Sequence, residues 1–104
     1  MARYLIDDIS TVDERLGDGI GVPSALDMLS TSCDRMSDAD VPPGADPATY
    51  MARLRTLSSF SASAATTYSD NPMEASARYA VARVETREMF AVLNAALGTG
   101  YRVP

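Results

Sequence analysis

Cys33 is the single cysteine of a chain that contains no histidine, lysine, glutamine or tryptophan. That inventory bounds the chemistry before any fold is considered. Without histidine there is no Ser-His-Asp triad and no Cys-His pair, because no imidazole can take the nucleophile's proton. Without lysine there is neither a phosphate-binding P-loop nor a Ser-Lys dyad. Zinc sites draw on several Cys and His ligands, and one thiol cannot make one. A lone cysteine also excludes an intrachain disulfide. Cys33 falls on the apolar stripe of a helical pattern, where a thiol is an inert core group rather than a nucleophile.

The remaining candidates read as ordinary surface chemistry. Asp38, Asp40 and Asp46 are close enough in sequence to suggest a hard-cation loop. Pro42 and Pro43, however, stand where an EF-hand needs a ligand and its turn glycine. Gly17-Asp-Gly-Ile-Gly21 has the look of a phosphate loop, but it follows a helical pattern rather than a strand, and Asp18 would repel phosphate. Glu85 and Glu88 could form an acid–base pair, yet they sit among arginines on a charged helix edge. No catalytic residue, cofactor site or metal site is expected.

These residues are carried on four helical patterns, which predict an all-α, four-helix-bundle-like single domain over 1–104. The first helix is expected at about 3–16, with Leu5, Ile9, Val12 and Leu16 on one face and Gly17 as its stop. The second, about 23–37, carries Leu26, Leu29, Cys33 and Met36. A breaker run through Pro42-Pro43-Gly44 follows. Asp46 caps a third helix at about 47–69, opened by Pro47. Its stripe starts with Tyr50, Met51, Leu54 and Leu57 and then turns small with Ser58, Ser61 and Ala65, so that another helix can approach closely. Asn71 caps the fourth, about 72–97, with Glu74 in a box-like position and an i,i+4 partner in Arg78. Gly98 stops it, and an extended tail runs to Pro104. The connection between the first two helices is too long for a DNA-binding helix-turn-helix.

The two later helices carry more apolar and neutral surface than one short bundle is expected to hide. Met73, Ala77, Ala80, Val81, Val84, Ala91 and Ala95 project to one side of the fourth helix. Tyr79, Ala82, Met89, Phe90, Leu93, Ala96 and Leu97 project to the other. Such a helix wants cover on both sides, either as the centre of its own bundle or against another chain. The back of the third helix, Ala48, Ala52, Thr56, Ser59, Ser63 and Thr66, lacks the charge of a solvated face. Ala52, Thr56, Ser59, Ser63, Tyr79, Met89, Phe90, Leu93 and Leu97 are therefore candidate contact residues. Tyr101 and Arg102 in the tail join them, being residue types that anchor interfaces.

Net charge is −5, divided as −7 over residues 1–46 and +2 over 47–104. The imbalance suits contact with a neighbouring protein and argues against nucleic-acid reading, which wants a basic face. No apolar run is long enough for a membrane span, and the acid at Asp7 and Asp8 does not suit a signal peptide, so the chain is expected in the cytoplasm where it is made. The expected function is that of a non-enzymatic structural or adaptor subunit, homo-oligomeric or within a multi-subunit assembly. In length and helical layout the chain is similar to the head–tail connector proteins of tailed bacteriophages. That resemblance implies incorporation into a virion and is carried by size and helix content, with no shared motif. The alternative is a small acidic regulator or inhibitor that masks one partner. A WXG-type helical hairpin would need a Trp-x-Gly turn that this chain lacks.

Overall fold

A computed structural model describes residues 2–103, with side chains from Leu5 onward. It contains four α-helices, α1 (Ala2–Asp18), α2 (Val22–Arg35), α3 (Pro47–Thr67) and α4 (Pro72–Leu97), and a single 3₁₀ turn at Asp38–Asp40. No strand occurs among the described residues. The helices form a small bundle in which α3 packs against both α2 and α4, while α1 lies along α2.

Helix ends follow local chemistry. The Asp46 carboxylate accepts from the Thr49 backbone N–H, and the Asn71 side chain accepts from the Glu74 N–H at 3.1 Å, each satisfying an amide that the first turn leaves unpaired. α1 runs past Gly17, its expected stop, because Gly19 and not Gly17 takes the left-handed conformation (φ 72°). The Gly19 N–H closes the last turn on the Arg15 carbonyl at 2.7 Å. α4 ends as the sequence implies, on Gly98 at φ 65°. The breaker run holds an element the sequence reading omits: the Ser37 N–H and hydroxyl both donate to the Asp40 carboxylate, winding Asp38–Asp40 into a 3₁₀ turn.

The buried residues form one core. Leu5, Ile9 and Val12 of α1 meet Leu26, Leu29 and Cys33 of α2, then Tyr50, Leu54 and Leu57 of α3 and Tyr79, Phe90 and Leu93 of α4. Towards the middle of α3 the large side chains give way to buried Ser58, Ser61, Ala64 and Ala65. A buried hydroxyl is tolerated when it is bonded, and Ser58 is. Its hydroxyl donates to Asp34 of α2 at 2.6 Å and accepts from Ser30 at 3.0 Å. A hydroxyl has one proton, so the short bond to the carboxylate fixes the direction of the chain from Ser30 to Ser58 to Asp34. Between α3 and α4, Arg78 donates to Ser63 (2.7 Å) and Thr67 (2.9 Å), and Glu74 of its own helix accepts from it at 2.6 Å. α1 is tied to α4 by the Asp13–Arg83 ion pair at 2.9 Å.

Two core hydroxyls, those of Tyr50 and Ser61, have no hydrogen-bond partner among the described residues. A buried unpaired donor costs about 1–3 kcal/mol, and the Tyr50 ring is held independently by its edge-on contact with Phe90, with centroids 6.2 Å apart. The Tyr50→Phe variant is expected to be as stable as the parent or more so, by about 1 kcal/mol in chemical denaturation. A loss of that size would show that the hydroxyl is bonded.

Candidate functional site

The residues most able to do chemistry lie in the core. Cys33 is buried, and burial, reinforced by the nearby carboxylates of Asp34 and Asp8, pushes its thiol up to about 12. Burial likewise pushes the Tyr50 phenol up to about 12 and raises Tyr79, whose hydroxyl faces Asp13. All three groups are held neutral at physiological pH. The acidic loop is committed to local structure, with Asp40 bonded to Ser37 and Asp46 to Thr49. No group of three or more metal-ligating side chains gathers among the described residues. Glu85 is paired with Arg53 at 3.1 Å, not with Glu88.

Surface, rather than chemistry, distinguishes this molecule. α4 buries one side and exposes the other, and the exposed side is the smaller-residue one. Met73 (85% exposed), Val92 (69%), Val81 (50%) and Val84 (46%) stand in water, joined by exposed Ala77, Ala80, Ala91 and Ala95. Arg87 and Glu88 are the charges that interrupt them. Beside this stripe, at the end where α3 begins and α4 closes, an open groove of about 350 Å³ lies between the Gly44–Asp46 loop, α3 and α4. Its floor is apolar, from Met89, Val92, Leu93 and Ala96, and Asp46, Arg53 and Glu88 supply charge at its edges. Such a groove can seat an apolar side chain of a docked segment and orient it by charge. The Arg53–Glu85 pair near its edge, and the Arg78 bonds at the far end of the helix pair, join α3 to α4.

This placement revises the candidate contact residues. Tyr79, Phe90 and Leu93 are buried within the chain's own core, and Met89 and Leu97 are packed against it. Apart from Met73 at the exposed start of the helix, they are the larger apolar side chains of α4, and bulk is what draws a face inward. In this molecule Tyr79 and Phe90 are thus turned into the chain's own core, Met89 and Leu93 also line the groove between α3 and α4, and the outward side is the Ala- and Val-rich one. On the back of α3, Ala52 and Ser59 are exposed. Thr56 is half-buried and donates to the Ala52 carbonyl, and half-buried Ser63 accepts from Arg78. Tyr101 is half-buried edge-on against Phe90 at 5.6 Å. Its backbone N–H and carbonyl are both held by the Asn94 side chain, at 3.0 and 2.6 Å, so the tail folds back on its own helix. Arg102 is exposed. Val92, the second most exposed large apolar side chain of α4 after Met73, was missed, although its place between the two faces and beside Ala96 could have flagged it.

No known protein family, curated protein or solved structure matches the chain significantly. No helix of the described residues is long and apolar enough to cross a membrane.

The buried acids give a testable pH dependence. Above about pH 9, where a thiol ionises in an unfolded chain, the unfolded state releases protons that the folded state retains, so unfolding is favoured. Stability is expected to be level through neutral pH and to fall between about pH 9 and pH 12 as Cys33, then Tyr50 and Tyr79, ionise on unfolding. Thermal melts across that range measure it. In the same protein at neutral pH, Cys33 should react with a thiol reagent only after denaturant is added. Rapid labelling of the native chain would contradict its burial.

Proposed function

We propose that the chain is a non-enzymatic structural or adaptor subunit of a larger protein assembly, docking through the outward side of α4 and the adjoining groove. The observation that carries this reading is the run of exposed apolar side chains along the whole of α4, from Met73 to Ala95. An apolar stripe rimmed by charge marks a contact surface. Its backing is rigid, with the ion pair and the Arg78 bonds fixing α3 against α4, and a preformed surface loses little entropy on docking. The chemistry-bearing groups are sequestered in the core, which favours a binding role over catalysis. The size and four-helix layout are similar to those of the helical head–tail connectors of tailed bacteriophages, and a virion connector is the specific form of subunit we put forward.

A second reading draws on charge. Asp7, Asp18, Asp27, Asp34 and Asp38 are all exposed on the half of the chain that carries net −7. That acidic side suits a regulator masking one basic partner, and its binding would weaken steeply with salt.

The two readings separate by residue. Purified from its native source, the chain is expected in a stoichiometric particle much larger than its own 11.1 kDa. The Val84→Glu variant, altered at an exposed site, should keep the parent's melting behaviour within about 0.5 kcal/mol yet leave that particle. Recovery of the parent chain as a free monomer would overturn the subunit reading. A salt-labile one-to-one complex disrupted by Asp7→Asn and Asp27→Asn would establish the regulator instead.

A further inference from the structure

Beyond Gly98 the chain has no regular structure, yet it is tied down. Residues 99–103 fold back over the end of the bundle, with Tyr101 and Val103 packed against the core. One side chain clasps them. Asn94 Nδ2 donates to the Tyr101 carbonyl at 2.6 Å. Its Oδ1 accepts from the Tyr101 N–H at 3.0 Å and from the Thr99 hydroxyl at 2.7 Å. Among the described residues, the hydrogen bonds of this segment all end on that one amide. They are made and lost together, so the segment is held or released as a unit.

Its surroundings leave it room to swing. Gly98, at φ 65°, and Gly100 flank Thr99, and a Cβ on either glycine would meet nothing within 4 Å. An open cleft of about 670 Å³ lies between the segment and Ile6 and Asp7 of α1. On its inner side, Tyr101 meets Phe90 edge-on at 5.6 Å, and Phe90 meets Tyr50 edge-on at 6.2 Å. Phe90 therefore keeps a partner on α3 when Tyr101 leaves. The Tyr50 hydroxyl of this ring cluster is buried without a hydrogen-bond partner. Burial pushes it up to about 12, and the nearby Tyr101 phenol adds to the rise.

We infer that residues 99–103 are a strap, clasped by Asn94 and hinged at Gly98, that opens while the four helices stay folded and uncovers the Tyr50–Phe90 edge of the core. This holds whether or not the outward side of α4 is a contact surface. Opening breaks the Asn94 bonds and lifts Tyr101 and Val103 off the core, which opposes it. It frees residues 99–103 from a single conformation, which favours it. It also lets water reach a hydroxyl that the closed state leaves unpaired, which favours it again. The bonds that join the helices, Ser58–Asp34, Arg78–Ser63 and Arg83–Asp13, are untouched by it. A segment held this way opens at a lower free energy than the whole chain unfolds.

The test is limited chymotrypsin digestion of the full chain, resolved by mass, in rising urea below the unfolding transition. Chymotrypsin must take an aromatic ring into its own pocket, so a cut after Tyr101 reports that the ring has left Phe90. A cut after Phe90, buried on α4, reports unfolding of the bundle. Each rate follows the population that exposes its site. The Tyr101 cut is expected to be about 100-fold faster than the Phe90 cut, the gap between local and global opening. It should be nearly flat in urea, because little surface is exposed, while the Phe90 cut climbs steeply. Asn94→Ala should speed the Tyr101 cut about tenfold, still with little urea dependence, and Tyr50→Phe should slow it about fivefold. Equal rates at the two sites with the same urea dependence would overturn the strap. So would an Asn94→Ala chain cut after Tyr101 at the parent's rate. A Tyr50→Phe chain cut there at the parent's rate would overturn the uncovering of Tyr50, since opening would then stop short of the core.

Discussion

The close contact that α3 makes with both α2 and α4 governs the rest of this structure. A helix can be approached closely on two sides only if its side chains there are short, and α3 supplies Ser58, Ser61, Ala64 and Ala65 in its second half. Short side chains bury little apolar area, so this contact is held as much by directed bonds as by the hydrophobic effect. The Ser30–Ser58–Asp34 chain joins α2 to α3, and Arg78 joins α3 to α4 through Ser63 and Thr67. With α3 in the middle, α4 can be covered on one side only. The apolar remainder of α4 is left facing water.

That arrangement explains which parts of the molecule were legible beforehand. All four helices could be read from apolar periodicity, and at the starts of α3 and α4 capping chemistry agreed with it. Leu5, Ile9, Val12, Leu26, Leu29, Cys33, Tyr50, Leu54 and Leu57 lie on stripes visible in the sequence and are buried in the structure. The end of α4 was set by a single glycine and was read correctly. The end of α1 was not, since Gly17, Gly19 and Gly21 compete and a glycine's conformation is decided by the bond it closes. The 3₁₀ turn at Asp38–Asp40 was hidden because its signal is one reciprocal Ser–Asp contact, too local to produce a period.

The surface was harder to read, for a different reason. α4 has two apolar sides, and periodicity reports that a side is apolar without saying which one turns inward. The choice depends on volume. Tyr79, Phe90 and Leu93 fill the common core, whereas Val81, Val84 and the outward alanines face water. The bulky side, expected from the sequence to carry contact residues, is the one that turns into the chain's own core. The tail shows the same limit. Tyr101 and Arg102 are typical anchors, but nothing in their types reveals that Asn94, seven residues before Tyr101, grips the Tyr101 backbone by both its N–H and its carbonyl.

The composition of the outward side then has a physical consequence for how the free chain behaves. A stripe of leucines or phenylalanines of this length would drive aggregation of the free chain. Alanine and valine expose less apolar area per position, and Arg87 and Glu88 interrupt the run near its middle. The net charge of −5 adds repulsion between free copies at low ionic strength. In the proposed subunit role, a surface built this way would bind weakly at any single contact and become firmly occupied only where several contacts close together, because each contact after the first is made within an existing complex, at a high effective concentration. Weak pairwise docking over a rigid two-helix backing is thus compatible with a free, well-behaved chain and with a stable place in a many-membered particle, which a stickier stripe on the same bundle would not allow.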